Sequence, residues 1–147
     1  MKTLRARAAT RRARREDGQA YVEFALVLPI LLLVVLGIVQ FGTAFKDYIA
    51  LTDAVRVGAR QASVSRSIAD PNQRVPLVVQ KMKDAAGTLD TSKLVITVTP
   101  YDPVTNTESW AASGDVTVRA SYPFKVNLLG MVVFNSTMNS RTTERVE

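Results

Sequence analysis

Gly18 and Glu23 are the residues whose types and spacing point most directly to chemistry. They stand at the junction between a basic head and a long apolar run. Glycine leaves its peptide bond unhindered, so a protease can draw the bond after Gly18 into an extended form. Cleavage there puts a new amine on Gln19 and leaves Glu23 as the fifth residue of the product. A carboxylate near the end of a membrane helix costs on the order of 1 kcal/mol or more. A nearby cation offsets that cost, and the amine of Gln19, in the same chain or a neighbour, is such a cation. A simple anchor needs no carboxylate at this place.

The elements that position the pair are a head and a helix. Phe24 to Phe45 runs 22 residues without a charge. At about 1.5 Å per residue that run spans a hydrocarbon core of about 30 Å. Residues 1–18 hold Lys2, Arg5, Arg7, Arg11, Arg12, Arg14 and Arg15 against Glu16 and Asp17, a balance of +5 out of the chain's +6. The high pI therefore belongs to the head and not to the rest of the chain. Such a head suits a nucleic-acid arm or the cytoplasmic flank of a membrane helix. The apolar run directly behind it favours the membrane, and with it an N-in, C-out orientation. The run exceeds the h-region of an ordinary secretory signal, and no convincing A-x-A site follows it. The helix should therefore stay on the protein. The plainest reading is an uncleaved signal anchor; the sharper one is cleavage at Gly18.

Gly18, Glu23 and Phe24 together resemble the type IV prepilin signal, in which a glycine precedes a mature chain with glutamate at position five. Val22 to Gly42, VEFALVLPILLLVVLGIVQFG, is similar to the opening helix of the TadE-like minor pilins of the Tad (Flp) pilus system. Asp53 to Ala62, DAVRVGARQA, resembles the A-x-R-x-G-A-R segment that follows in that family. The resemblance covers about residues 18–62 and rests on Glu23, Phe24, Pro29, Gly37, Phe41, Gly42, Arg56, Gly58 and Arg60 in order. Gln40 stands where the family often has an acidic residue, and Val57 where Glu is common. The resemblance implies a substrate of a prepilin peptidase, cut after Gly18, and not an enzyme. It implies assembly with other Tad pilins and minor pilins through hydrophobic helices, helped by an inner-membrane platform and an ATPase. No cofactor is implied, and nucleic acid is not an expected partner because the basic charge leaves with the leader.

The remaining features qualify these roles. Pro29 inside the apolar helix suits either a bend or melted turn used in assembly or an ordinary membrane-helix proline. Gly37 and Gly42 allow close helix approach, although glycine is frequent in membrane helices anyway. Leu51, Val55, Gly58 and Ala62 make a narrow apolar face on a helix continuing past Lys46, with Asp53, Arg56, Arg60 and Ser63 opposite. Arg56 and Arg60 can pair with carboxylates of a neighbour, or Arg56 with Asp53 locally.

Residues 64–76 read as a loop. Val75 to Ala86 reads as a second helix, with Pro76 in its first turn, Gly87 at its cap, and Val75, Val78, Val79, Met82, Ala85 and Ala86 on one face. Lys93 to Thr99 and Asp115 to Tyr122 read as strands, the second stopped by Pro123. Phe124 to Phe134 reads as a connection on the core or an apolar flap at the membrane surface, and Asn135 to Val146 as an edge-like third strand. The expected fold is α+β: a long N-terminal hydrophobic helix, then a small pilin-like domain with about three antiparallel strands. The expected boundaries are a leader at 1–18, a hydrophobic then amphipathic helix at 19–66, and an exported domain at 67–147.

With no histidine and no cysteine, the chain lacks the commonest general base, thiolate metal sites and disulfides. No Gly-rich phosphate loop or G-x-S-x-G elbow appears. Asp102, Glu108 and Asp115 do not have EF-hand spacing. Trp110, alone in its loop, is expected to be half-buried packing.

Overall fold

The computed structural model describes residues 18–127 and 130–147 in full, and residues 2–17 and Leu128 only as parts of a helix and a strand. Apart from Gly18, the basic leader lies outside the residues described in full. The chain divides into two compact units, Met1–Gln40 and Phe41–Glu147.

One helix, α1 (Lys2–Val64), opens the fold. The helix runs through Pro29 without a break, so no melted turn forms there. In the first unit its described apolar side chains have no core to enter. Leu26, Ile30 and Ile38 are 70%, 65% and 66% exposed. A helix apolar on every side with none of it buried in its own fold is suited to lipid or to other helices. This is the one helix among the described residues that is long and apolar enough to cross a membrane.

In the second unit α1 turns amphipathic and makes one layer of a two-layer core. Leu51, Ala54, Val55, Ala59 and Ala62 are buried, while Asp53, Arg56 and Arg60 face solvent. Ser63, expected on the polar side, is buried instead: its hydroxyl donates to the Arg60 carbonyl at 2.9 Å, which satisfies it inside the helix. After a single 3-10 turn at Ser65–Ser67 comes α2 (Pro71–Ala85). It begins four residues earlier than the sequence pattern predicts. Asp70 is the cap, its carboxylate accepting from the Asn72 amide at 2.9 Å, and Pro71, not Pro76, takes the first helical position. Pro76 lies inside the helix. Val75 falls off the buried face at 39% exposed; Val78, Met82 and Ala86 form it. Gly87, at φ +61, ends the helix as expected.

The second layer is an antiparallel sheet in the order β1-β2-β3, from β1 (Val95–Tyr101), β2 (Asp115–Leu128) and β3 (Met131–Arg145). Lys93 belongs to a 3-10 turn (Thr91–Lys93) before β1. The alternation expected of β2 holds: Val116, Val118 and Ala120 are buried against the helices, and Tyr122 packs on them in part.

Two sequence expectations fail here. Pro123 does not stop β2, which continues to Leu128, and Phe124 to Phe134 is not a connection packed on the core but the far part of the β2–β3 hairpin. The pairing of β2 with β1 ends at Ser121. Beyond that point β2 has one unpaired side, where a missing N–H loses no ladder bond. Gly130, at φ +84, turns the chain into β3. The C-terminus closes the sheet: Val146 is buried, its amide donates to the Gly114 carbonyl at 2.7 Å, and the Glu147 amide donates to the Ser63 carbonyl at 3.0 Å.

The turn before β1 carries the clearest electrostatic feature. Asp90 Oδ2 lies 2.7 Å from Lys93 Nζ, and its Oδ1 accepts from the Ser92 hydroxyl at 2.6 Å and the Ser92 amide at 3.1 Å. The Lys93 ammonium, then the two Ser92 donors, pull the Asp90 carboxyl from 3.8 down to about 2. A folded-state value below the unfolded one contributes stability above the unfolded value and loses it as pH falls through the folded one. Asp90→Ala should therefore destabilise the protein above about pH 4, and the difference from the parent should vanish by about pH 2. Unfolding curves across that window test this; a constant difference down to the low end contradicts it.

Candidate processing and assembly site

The described part of the site begins in the first turns of α1 after the leader. Gly18 is exposed, and no atom outside its own helical turn lies within 4 Å of where a Cβ would stand. It lies in helix, so the bond after it must unwind before a protease can take it in extended form. Glycine inside a helix lowers that cost by roughly 0.5–1 kcal/mol relative to alanine. One turn on, Gln19 Nε2 donates to Glu23 Oε1 at 3.0 Å. The residue that would carry the new amine already partners the carboxylate. Phe24 is 60% exposed beside it.

The remaining sequence-predicted positions fall into two groups. Pro29 is exposed, and a Cβ added at Gly37 or Gly42 would meet nothing within 4 Å. Among the described residues no packing requires those glycines. Gly58 is the opposite case. A Cβ there would overlap Met82 Cγ, lie 2.6 Å from Met82 Sδ, and touch Val118 Cγ1 at 3.5 Å. Glycine is what lets α1 approach α2 and β2 at that point. Arg56 Nη1 lies 3.6 Å from Asp53 Oδ1, an exposed local pair worth a few tenths of a kcal/mol at most. Arg60 is exposed on the same side.

Arg74 is a structural residue that the sequence pattern does not reveal. Its guanidinium donates to the Ile68 carbonyl at 3.0 and 3.3 Å and to the Arg66 carbonyl at 3.1 Å, tying the α1–α2 connection to α2. It also lies 6.0 Å from the Trp110 ring centre. Trp110 is half-buried against the core, as expected. Arg74 carries no sequence signal, because its partners are backbone carbonyls. Asp102 serves its own loop: its carboxylate accepts from the Val104 amide at 2.9 Å and the Thr105 hydroxyl at 2.7 Å. Those bonds, the hydroxyl foremost, lower its pKa. Among the described residues no group of three or more acidic side chains is placed to hold a metal.

The described architecture is one long apolar helix, of a length and composition that fit a membrane anchor, and a small helix-on-sheet domain. Residues 18–60 match the family described as TadE-like protein. The matched segment is similar to that family over the N-terminal helix only, less than a third of the chain. The match takes in Glu23, Pro29, Gly37, Gly42, Arg56, Gly58 and Arg60 and stops before α2 and the sheet. No curated protein and no solved structure matches the chain significantly.

Proposed function

We propose that this protein is a minor pilin-like subunit of a Tad pilus, cut after Gly18 by a prepilin peptidase. Before cleavage the apolar run of α1 sits in the cytoplasmic membrane, with the basic leader inside and the domain that follows outside. After cleavage the subunit joins or primes a pilus used in adhesion or secretion, together with other Tad pilins and the inner-membrane platform. The observation that carries this reading is the TadE-like match beginning at Gly18, on a helix whose apolar side chains are left exposed.

The Gln19–Glu23 hydrogen bond supports a role for the carboxylate. Residues four apart on a helix lie about 5–6 Å from each other, so a new amine on Gln19 stands within charge-pairing reach of Glu23. A neighbouring subunit's amine can take the same role. Glu23→Ala should leave membrane insertion intact or improved, since a charge has been removed. Its incorporation into sheared pilus fractions should fall by an order of magnitude or more. Unchanged incorporation would remove the proposed pairing. The second reading, an uncleaved signal-anchored accessory or binding protein that does not polymerise, keeps the same helix but gives Glu23 no such task.

A further inference from the structure

We infer that the free arm of the β2–β3 hairpin is a second membrane-contacting element, inserting its tip into the lipid leaflet at the C-terminal end of the α1 apolar run. The inference rests on the reading of α1 as a membrane anchor. Its basis lies wholly in the second unit. Val118 packs at Gly58, while Tyr122, Pro123 and Lys125 line a shallow groove with Thr43 and Asp47 of α1. Along β2, then, the chain travels back down α1 toward its apolar run. Val118 to Lys125 covers about 23 Å of strand, and Gly58 back to Thr43 about 22 Å of helix, so the two elements keep pace.

Both elements change polarity at that level. The uncharged run of α1 ends at Phe45, before Lys46 and Asp47. On the hairpin Lys125, paired with Asn135, is the last charge, and residues 126–134 contain none. The hairpin continues about 10 Å beyond Lys125 to its turn. That matches the depth of about 5–10 Å at which an apolar face settles into the headgroup–acyl boundary.

On the β3 side the tip is apolar on both faces, while Asn127, paired with Val132, is its polar residue on β2. Successive strand residues point to opposite sides, yet Val132 and Val133 are 58% and 60% exposed, flanked by Met131 at 68% and Phe134 at 54%. Further along, β3 is polar, from Asn135 to Arg145, save for Met138. A sheet segment in water keeps at most one apolar face, and that face is covered. Lipid accounts for both faces at once. Phe124 and Phe134, with ring centres 6.2 Å apart, brace the two strands where the apolar segment begins.

The chain has no cysteine, so single cysteines can carry a nitroxide label without background. Full-length Val133→Cys, Phe41→Cys and Glu144→Cys chains would be labelled and placed in vesicles of mixed zwitterionic and anionic lipid. Collision with oxygen and with a water-soluble relaxing agent then reports depth. The expected result is that the Val133 label resembles the Phe41 label, with high oxygen access and several-fold lower access to the water-soluble agent than the Glu144 label. A Val133 label as accessible to the water-soluble agent as Glu144, with Phe41 protected, overturns the inference and leaves the anchor standing. A Phe41 label open to water overturns the anchor reading and the inference with it. A Val133 label shielded from both agents, with spin–spin broadening that disappears on dilution with unlabelled chain, assigns the tip to a second copy and also overturns it.

Discussion

Gly58→Val should lower the thermal midpoint of the second unit by more than about 10 °C, from an overpacking cost of about 3 kcal/mol. Even a methyl group at Gly58 overlaps Met82, and valine adds two more methyl carbons in the space between α1, α2 and β2. Helix propensity opposes the loss, since replacing glycine in a helix interior gains up to about 1 kcal/mol, so Gly58→Ala should cost less than Gly58→Val. The overlap falls on a side chain that can be removed. Met82→Ala alone should cost about 2–5 kcal/mol through the cavity it leaves. If the two sites share one space, the double variant should be more stable than the sum of the single losses predicts. Thermal or denaturant unfolding of the four chains measures this; strict additivity would mean that Gly58 does not serve the Met82 contact.

Gly18→Val should accumulate as full-length precursor, with cleavage slowed by about 100-fold through misplacement of the scissile bond. A branched side chain beside that bond crowds the close approach that glycine leaves open to a protease, and it also firms the helix that must unwind. Among the described residues a Cβ at Gly18 meets nothing within 4 Å outside its own helical turn. The variant chain should therefore reach the membrane and keep the parent's unfolding midpoint. Gly18→Ala should be impaired to a lesser degree. Immunoblots that resolve precursor from product report both. Normal processing of Gly18→Val would show that the bond is cut elsewhere or not at all.

The contrast between these two glycines shows what can be read from the chain itself. At Gly18 the information is local: a small residue, a carboxylate five positions on, and an apolar run behind them. At Gly58 the local pattern offers only a small residue on a narrow apolar face. That Met82 and Val118 converge there is a fact of tertiary packing between elements 24 and 60 residues away along the chain. The β2 alternation from Val116 to Tyr122 is legible because one face meets the helices and the other does not. Its continuation past Pro123 is not, because a proline reads as a stop unless the strand is known to have lost a neighbour. The start of α2 is ambiguous for a related reason. Asp70-Pro71 and Pro76 each suit a helix start, and the capping bond from Asn72 decides for the first. Arg74 is invisible in the sequence because backbone carbonyls are the same in every chain.

The α+β class, the long opening helix and the TadE-like character of residues 18–60 hold, so the central question is what becomes of the leader. Intact-mass analysis with N-terminal sequencing, on protein purified from cells containing the prepilin peptidase, answers it most directly. The mature chain should begin at Gln19, with Glu23 as its fifth residue. A mature chain that still begins at Met1 in those cells would contradict the account and leave the signal-anchored accessory protein in its place.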